Sequence, residues 1–261
     1  MIHGLLVGLV AGSLGGLVGV GGGVIIVPLM TEALRFRQQE AHGTSLVAVV
    51  LTAVAGSVVY YLHGSADIPA SAILAGLALC TVRLGAKYCC FLPELKLKRY
   101  FGLFLLFVSA LLILRPFLPP VMEGSLPAWI RWSVLVLLGA LTGFISGMMG
   151  VGGGSFMIPM MVFFAGIPQH TAQGISLLAM IPASTLGAWI HWKMGNIRVS
   201  LLPGLIFGTL AGVFAGGSFA HLIPEEELSL LYSVLLVYTA VHYLRTKPRR
   251  PAPAPLSPPS K

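Results

Sequence analysis

Two short glycine clusters dominate the chemistry this sequence could perform. Gly19-Val20-Gly21-Gly22-Gly23 is followed by Pro28, five residues past its last glycine, and Gly150-Val151-Gly152-Gly153-Gly154 is followed at the same distance by Pro159. Each glycine costs a helix about 1 kcal/mol relative to alanine, so a run of them breaks it. A helix restarting after the break presents free N–H groups and the positive end of its dipole, which together suit an anion. The competing reading is steric, because small residues also let membrane helices approach closely. A second pair of segments follows, Ala41-His42-Gly43-Thr44-Ser45 and Ala172-Gln173-Gly174-Ile175-Ser176. Thr44, Ser45, Ser176, His42 and Gln173 can donate hydrogen bonds to a bound oxyanion, and His42 can also titrate and couple anion movement to protons. The plainer reading is that the hydroxyl residues cap a helix from its first turn.

The elements that would position these groups follow from composition. Charged residues make up 9% of the 261 positions, apolar residues 56%, and the mean hydropathy is +0.91. A soluble domain carries about a quarter charged residues, and there are too few here to build a solvated shell. Apolar runs cover Leu46 to Leu62, Ile68 to Val82, Phe101 to Leu114, Trp132 to Met149, Gly174 to Trp192, Val199 to Ile223 and Leu228 to Leu244. Most approach the roughly 20 residues that cross a hydrocarbon core. Backbone groups in lipid must be satisfied within the segment, so such runs read as helices. The fold class is therefore an all-α polytopic membrane protein, with the lipid bilayer as its surroundings.

The formal charge of +8 does not point to nucleic acid, because the basic residues fall in short clusters beside the apolar runs, as topology signals do. Cys80, Cys89 and Cys90 form no metal-ligand spacing, so neither a zinc site nor a disulfide framework is indicated. No metal and no cofactor is expected. The start, Met1-Ile2-His3-Gly4, lacks the basic n-region of a signal peptide and reads as part of a helix. Residues 247–261 are proline-rich and read as a disordered tail.

The sequence repeats itself at a fixed interval. One ungapped offset of 131 maps the first glycine cluster onto the second, Pro28 onto Pro159, and Ala41, Gly43 and Ser45 onto Ala172, Gly174 and Ser176. The same offset maps Gly56 onto Gly187, Gly64 onto Gly195, Gly85 onto Gly216 and Pro93 onto Pro224. Residues 1–120 and 121–246 are thus two copies of one unit. Each holds an apolar segment, the glycine cluster, a short proline-bearing piece (Val24 to Leu34; Ser155 to Gly166) and three long helices. Those helices are predicted over 43–62, 68–91 and 99–117, and over 174–192, 199–221 and 228–244.

Positive charge sets orientation. Arg35, Arg37, Lys96, Lys98 and Arg99 mark two loops of the first unit, whereas the equivalent loops of the second hold no Lys or Arg. There the charge sits at Lys193 and Arg198 and after the last helix, from Arg245 to Arg250. Arg115 and Arg131 dissent weakly. The pattern predicts two tandem inverted repeats with both termini cytoplasmic. Inverted repeats commonly carry a substrate site near the midplane at their interface, so the two glycine turns are expected to approach each other there. On this view Gly22→Val and Gly153→Val abolish function and Gly12→Ala is milder. Arg83 and Lys87 are expected to snorkel at the cytoplasmic end, and His191, Trp192 and Lys193 to join the interfacial belt. Asp67 reads as a solvated loop residue.

The duplicated GVGGG…P set, with A-x-G-x-S opening the next helix, resembles the sulfite exporter TauE/SafE family of membrane anion transporters. The resemblance runs from about Leu5 to Tyr243. It implies carriage of a small sulfur-containing anion, sulfite or an organosulfonate, across a bacterial inner membrane; ion or proton coupling and no enzymatic activity are expected. The family signature falls on Gly19, Gly21, Gly22, Gly23 and Pro28, and on Gly150, Gly152, Gly153, Gly154 and Pro159. His42 and Gln173 occupy a variable position within the motif, and Arg83 departs from the small residue expected there. Two other classes compete: an intramembrane hydrolase using Ser146 or Ser176 with His191 or His221, and a non-transporting assembly partner. The only partners anticipated are the anion, the bilayer and possible further copies of the chain.

Overall fold

The computed structural model describes residues 2–89, 94–114, 128–149 and 152–245. Gly150 and the tail 247–261 lie outside the described residues. Among the described residues there are ten α-helices and no strand. The first unit contributes α1 (Ile2–Val18), α2 (Gly23–Glu32), α3 (Gln38–Leu62), α4 (Ile68–Cys89) and α5 (Glu94–Leu114). The second contributes α6 (Ala128–Met149), α7 (Gly154–Phe164), α8 (Gln169–Lys193), α9 (Leu202–Ala220, after a 3₁₀ turn at Val199–Leu201) and α10 (Glu225–Arg245).

The glycine clusters do break helices, and they do so through backbone conformation. Gly19, Gly21 and Gly22 have φ of 72°, 79° and 74°, and Gly152 and Gly153 have 83° and 82°. Glycine enters this left-handed region without the steric penalty other residues meet. The chain then turns into α2 and α7, each of which carries its proline in the interior. Proline has no N–H, so the carbonyls of Val24 and Ser155 lose their intrahelical donor.

Helices α3 and α8 begin five residues before the predicted starts, at Gln38 and Gln169. The start signals are Arg37, whose amide donates to Glu40 Oε2 at 3.4 Å, and Pro168 in extended conformation. Thr44, Ser45 and Ser176 therefore sit in the second turn and cap nothing. Ser45 Oγ donates back to the His42 carbonyl at 2.8 Å and Ser176 Oγ to the Gln173 carbonyl at 2.9 Å, the local bonding open to a hydroxyl inside a helix. Helix α5 also starts early, at Glu94, so Lys96, Lys98 and Arg99 belong to its first turns and not to a loop. Glu, Leu and Lys are strong helix formers; their charge marks topology without ending the helix.

Packing joins the two units reciprocally. Gly4, Gly8, Gly12 and Gly16 of α1 face Gly204, Gly208, Gly212 and Gly216 of α9, both series spaced by four. A Cβ on Gly4 would lie 2.8 Å from the Leu201 carbonyl and one on Gly16 2.7 Å from that of Val213, so the helices run parallel in backbone contact. In the other half Gly139, Gly143 and Gly147 of α6 meet Leu74, Ala78 and Val82 of α4 in the same sense. Each contact recurs at the sequence offset: Gly8 with Leu205 corresponds to Gly139 with Leu74. Helices α3 and α8 cross antiparallel at the centre, with Gly56 against Leu177 and Gly187 against Leu46. Both end on a left-handed glycine, Gly64 and Gly195, with Ser65 N bonded to the Tyr60 carbonyl at 2.9 Å and Asn196 N to that of His191 at 3.0 Å.

Polarity is distributed inside out relative to a soluble bundle. Buried polar side chains among the described residues are Ser, Thr, Gln and His, without Lys, Arg, Asp or Glu. Leu5, Val58, Leu84, Phe107, Leu137, Phe207 and Phe214 cover the outside. Five of the described helices, α3, α4, α8, α9 with its 3₁₀ turn, and α10, are long and apolar enough to cross a membrane. This is the architecture of a multi-pass membrane protein.

Candidate functional site

The two glycine turns meet in the middle of the bundle. A Cβ on Gly21 would lie 3.2 Å from both Met180 Cε and Val49 Cγ1, and one on Gly152 2.7 Å from Val49 Cγ1 and 3.0 Å from Met180 Sδ. Val49 and Met180 stand near the midpoints of α3 and α8 and are equivalent at the repeat offset. Gly154 completes the contact, with its Cβ position 3.0 Å from Val20 Cα. The other turn glycines are held by their surroundings. A Cβ on Gly22 would lie 2.8 Å from the Ala11 carbonyl, one on Gly153 would strike Thr142, and one on Gly19 would strike the stem of Gln173. Gly23 and Gly154 are the first residues of α2 and α7, whose leading amides have no intrahelical acceptor. Pro28 and Pro159 lie more than a turn further along, away from the junction.

Polar side chains gather beside the turns. Ser176 Oγ also lies 2.8 Å from the Gly19 carbonyl, so its single proton is shared between that acceptor and the Gln173 carbonyl and holds the first turn against α8. The Tyr60 hydroxyl lies 2.9 Å from Gln173 Oε1 and 3.1 Å from the Gly16 carbonyl. One O–H proton cannot serve both acceptors. Turning the amide over lets Gln173 Nε2 donate to Tyr60 while Tyr60 donates to Gly16. Either way one amide atom of the fully buried Gln173 is left without a partner. The hydroxyls of Ser184, 3.7 Å from the Gly152 Cβ position, and of Ser155 in the first turn of α7 are also buried and unpartnered.

Of the residues singled out from sequence, Gly19, Gly21, Gly22, Gly23, Gly152, Gly153, Gly154, Gln173 and Ser176 come together. Thr44 does not join them: its Oγ1 accepts the Arg198 amide at 3.0 Å and ties α3 to the loop after α8. His42 and Ser45 are buried two turns and one turn before Val49, on the side where Arg198 pairs with Glu40 at 2.8 Å. The structure corrects the reading of His191, which is 2% exposed and makes no hydrogen bond through either ring nitrogen. Gly43 admits it to the core, because α3 has no side chain there to keep α8 away. Trp192 and Lys193 do stay outside, and Lys193 Nζ sits 3.7 Å over the Trp189 ring, a cation–π contact. Asp67 is more than solvated, since its Oδ1 accepts the Ala70 amide at 3.0 Å and caps α4.

Sequence reading missed Tyr60, which lies inside an apolar run, and a cluster of three histidines from separate elements. His63 and His221 stack at 4.0 Å and 6°, His170 lies 5.1 Å from His221, and the Tyr60 ring lies 4.8 Å from it. Burial first, then the charges of His63 and His170, push the His221 pKa down to about 4. His63 Nδ1 is 2.8 Å from the Val59 carbonyl and so carries its proton there. Among the described residues no group is arranged to hold a metal ion. The signal for Tyr60 was available: at offset 131 it is the counterpart of His191, another polar residue inside an apolar helix. Neither serine of the hydrolase reading meets a histidine, as Ser176 bonds two carbonyls and Ser146 Oγ has no partner.

A family model described as Sulfite exporter TauE/SafE matches residues 4–174 and again residues 135–261. The two matches begin 131 residues apart (4 and 135), the offset of the internal repeat. The chain is 28% identical to a probable membrane transporter protein, YdhB, of Bacillus subtilis over 229 residues, covering 86% of this chain and 92% of the relative. It is 29% identical to a probable membrane transporter protein of Xylella fastidiosa over 242 residues, covering 92% and 91%. No solved structure matches it. Since those two matches together span nearly the whole chain, the chain belongs to the TauE/SafE sulfite exporter family of membrane transporters.

Proposed function

We propose that this protein is a secondary transporter of a small anion of the sulfite or organosulfonate class, bound where the two glycine turns meet. The observation that carries the reading is the convergence of Gly21 and Gly152 on Val49 and Met180, with α2 and α7 starting from that point. Two helix N-termini then offer about half a positive charge each. The Ser184 and Ser155 hydroxyls and the leading amides of both helices supply hydrogen bonds. Among the described residues no buried lysine or arginine competes, so capture is dipolar and weak enough to reverse, as a carrier requires.

The two units are read as inverted repeats of a bacterial inner-membrane protein with cytoplasmic termini. The antiparallel crossing of α3 with its counterpart α8 supports this, as do the Arg35/Arg37 cluster before the N-terminus of α3 and the Lys193/Arg198 cluster at the C-terminus of α8, two ends that lie on one face. His42, Thr44 and Ser45 then line the inner approach, and Gln173 and Ser176 the outer one.

Purified protein in liposomes should take up labelled sulfite or thiosulfate saturably, and more readily than sulfate or acetate. Ser155→Ala is the test of place, since its buried hydroxyl stands in the first turn of α7 without a partner in the protein and its loss strands no other group. It should lower uptake about ten-fold, equivalent to ~1.4 kcal/mol, with little change in thermal stability. Failure of the unaltered protein to move any of these anions would sink the function. Unchanged uptake by Ser155→Ala would move the site elsewhere.

A further inference from the structure

A hydroxyl inside a helix ordinarily donates to a carbonyl one turn back. Ser133 on α6 does so to Trp129 at 2.8 Å, Thr185 on α8 to Ile181 at 2.7 Å, and Thr239 on α10 to Leu235 at 2.8 Å. Among the described residues, the buried hydroxyls without a partner are those of Thr142, Ser146, Ser155 and Ser184, each at most 1% exposed. All four stand around the second glycine turn. A Cβ on Gly153 would strike the Thr142 methyl and lie 3.5 Å from Ser146 Cβ. Ser184 Oγ is 3.7 Å from the Cβ position of Gly152, and Ser155 is the second residue of α7. Thr142 and Ser146 are one turn apart on a single face of α6. One unbonded buried hydroxyl is costly, and four around one helix start require an explanation.

The first turn is built differently. At offset 131 the four positions are Ala11, Gly15, Val24 and Ala53, so no hydroxyl is repeated. A Cβ on Gly15 would strike the Gly22 amide nitrogen, which means α1 is pressed onto its turn, whereas Ser146 holds α6 off by a side chain. The polar groups nearest the first turn are engaged with it: the Ser176 and Tyr60 hydroxyls lie 2.8 Å and 3.1 Å from the Gly19 and Gly16 carbonyls. The unpaired amide atom of Gln173 belongs to a side chain packed on Gly19, ahead of the α2 start.

We propose that the anion sits on one side of the junction, on the second turn, where Thr142, Ser146, Ser155 and Ser184 donate hydrogen bonds to it, and that the first turn is the apolar wall opposite. The proposal rests on the transport reading above and deepens it, adding Thr142 and Ser146 as binding residues and making the two turns unequal. Hydroxyls from α6, α7 and α8, with the leading amides of α7, surround one helix start. Such a ring fits a head with several acceptor oxygens, as sulfite, thiosulfate and sulfonates have. Hydroxyl oxygens alone could also ligate a cation, but the positive end of the α7 dipole favours negative charge there.

The test is equilibrium binding of labelled thiosulfate to the detergent-purified protein, beside its melting temperature without the anion. Thr142→Val, Ser146→Ala and Ser184→Ala should each weaken binding about ten-fold, and Thr239→Val, whose hydroxyl is already bonded within its helix, by less than about two-fold. Without the anion, Thr142→Val and Ser146→Ala should melt at or above the unaltered protein, because each removes a buried hydroxyl that bonds nothing. Ala53→Ser added to Ser184→Ala moves a hydroxyl to the equivalent place in the first unit and should restore nothing. Unchanged binding in Thr142→Val and Ser146→Ala, or restoration by Ala53→Ser, would overturn the one-sided site. Lower melting temperatures with unchanged binding would assign the hydroxyls to trapped water and overturn it equally. Binding that the variants lose, alongside no uptake into liposomes by the unaltered protein, would uphold the site and sink the transport reading. Uptake by the unaltered protein, with binding unchanged in the variants, would do the reverse.

Discussion

At the scale of single residues, the histidine cluster at the ends of α3 and α9 makes the clearest statement about pH. His221 is held near 4, whereas in the unfolded chain an imidazole titrates near ~6.5. The fold therefore excludes a proton that the unfolded chain would bind. Stability is full above about pH 6.5 and declines as pH falls towards 4. The ring is partly exposed, so solvent screening keeps the contribution modest. His221→Asn should flatten the acid side of the melting-temperature profile in detergent, and an unchanged slope would show that other groups set it. Residue-level packing also revises the glycine substitutions suggested by sequence. Gly22→Val and Gly153→Val would strike the Ala11 carbonyl and Thr142 at a left-handed backbone, so they report folding before binding. Such crowding is invisible in a string of letters, because it depends on which helix comes alongside.

Among the elements, the parallel pairs α1·α9 and α4·α6 are held by backbone approach and not by side-chain interdigitation. Gly12→Ala, which sequence reading takes as mild, would press a methyl group onto Thr209 Cα at 2.8 Å, and Gly143→Ala would press one onto Ala78. Both should destabilise by about 1–3 kcal/mol, the usual cost of overpacking. Gly76→Ala on the exposed face of α4 meets nothing within 4 Å. It should leave stability unchanged or raise it by about 0.5–1 kcal/mol, through the entropy of the unfolded chain. Melting temperatures of the three variants in one detergent check the ordering. The four-residue glycine spacing was legible in α1 and α9, and so was the existence of every long helix. The partners were not: glycine spacing marks a surface built for close approach without naming what approaches. Boundaries slipped by five residues at α3 and α8 because Gln38 and Gln169 carry no apolar signal, while the start signals lie just before them.

For the whole molecule, the fixed offset of 131 was the strongest feature of the sequence, and the reciprocal contacts of Gly8 with Leu205 and Gly139 with Leu74 follow the same register. Orientation in the bilayer rests on charge alone. With Phe36→Cys and Glu225→Cys in a cysteine-free chain, an impermeant thiol reagent on whole cells should label position 225 and spare position 36. The opposite pattern would overturn the proposed topology. The correspondence of Tyr60 and Gln173 with His191 and His42 lies in the offset itself, but only the fold shows that the Tyr60 hydroxyl reaches Gln173 across the crossing of α3 and α8.

The exchange of first helices between units has a consequence for origin and assembly. Helix α1 buries its glycine stripe on α9 and α6 buries its own on α4, so neither half covers its own seam. On the proposed inverted arrangement, a chain carrying one unit would be left with an open backbone stripe that only a second copy, running the other way, could fill. Such a protein would have to be made in both orientations in equal amounts by one gene, and any bias in insertion would leave unmatched halves behind. Joining the two units in one chain fixes the ratio at one to one. It also frees each half to drift, which is how one side of a formerly identical pair can come to hold histidines while the other keeps a tyrosine and a glutamine.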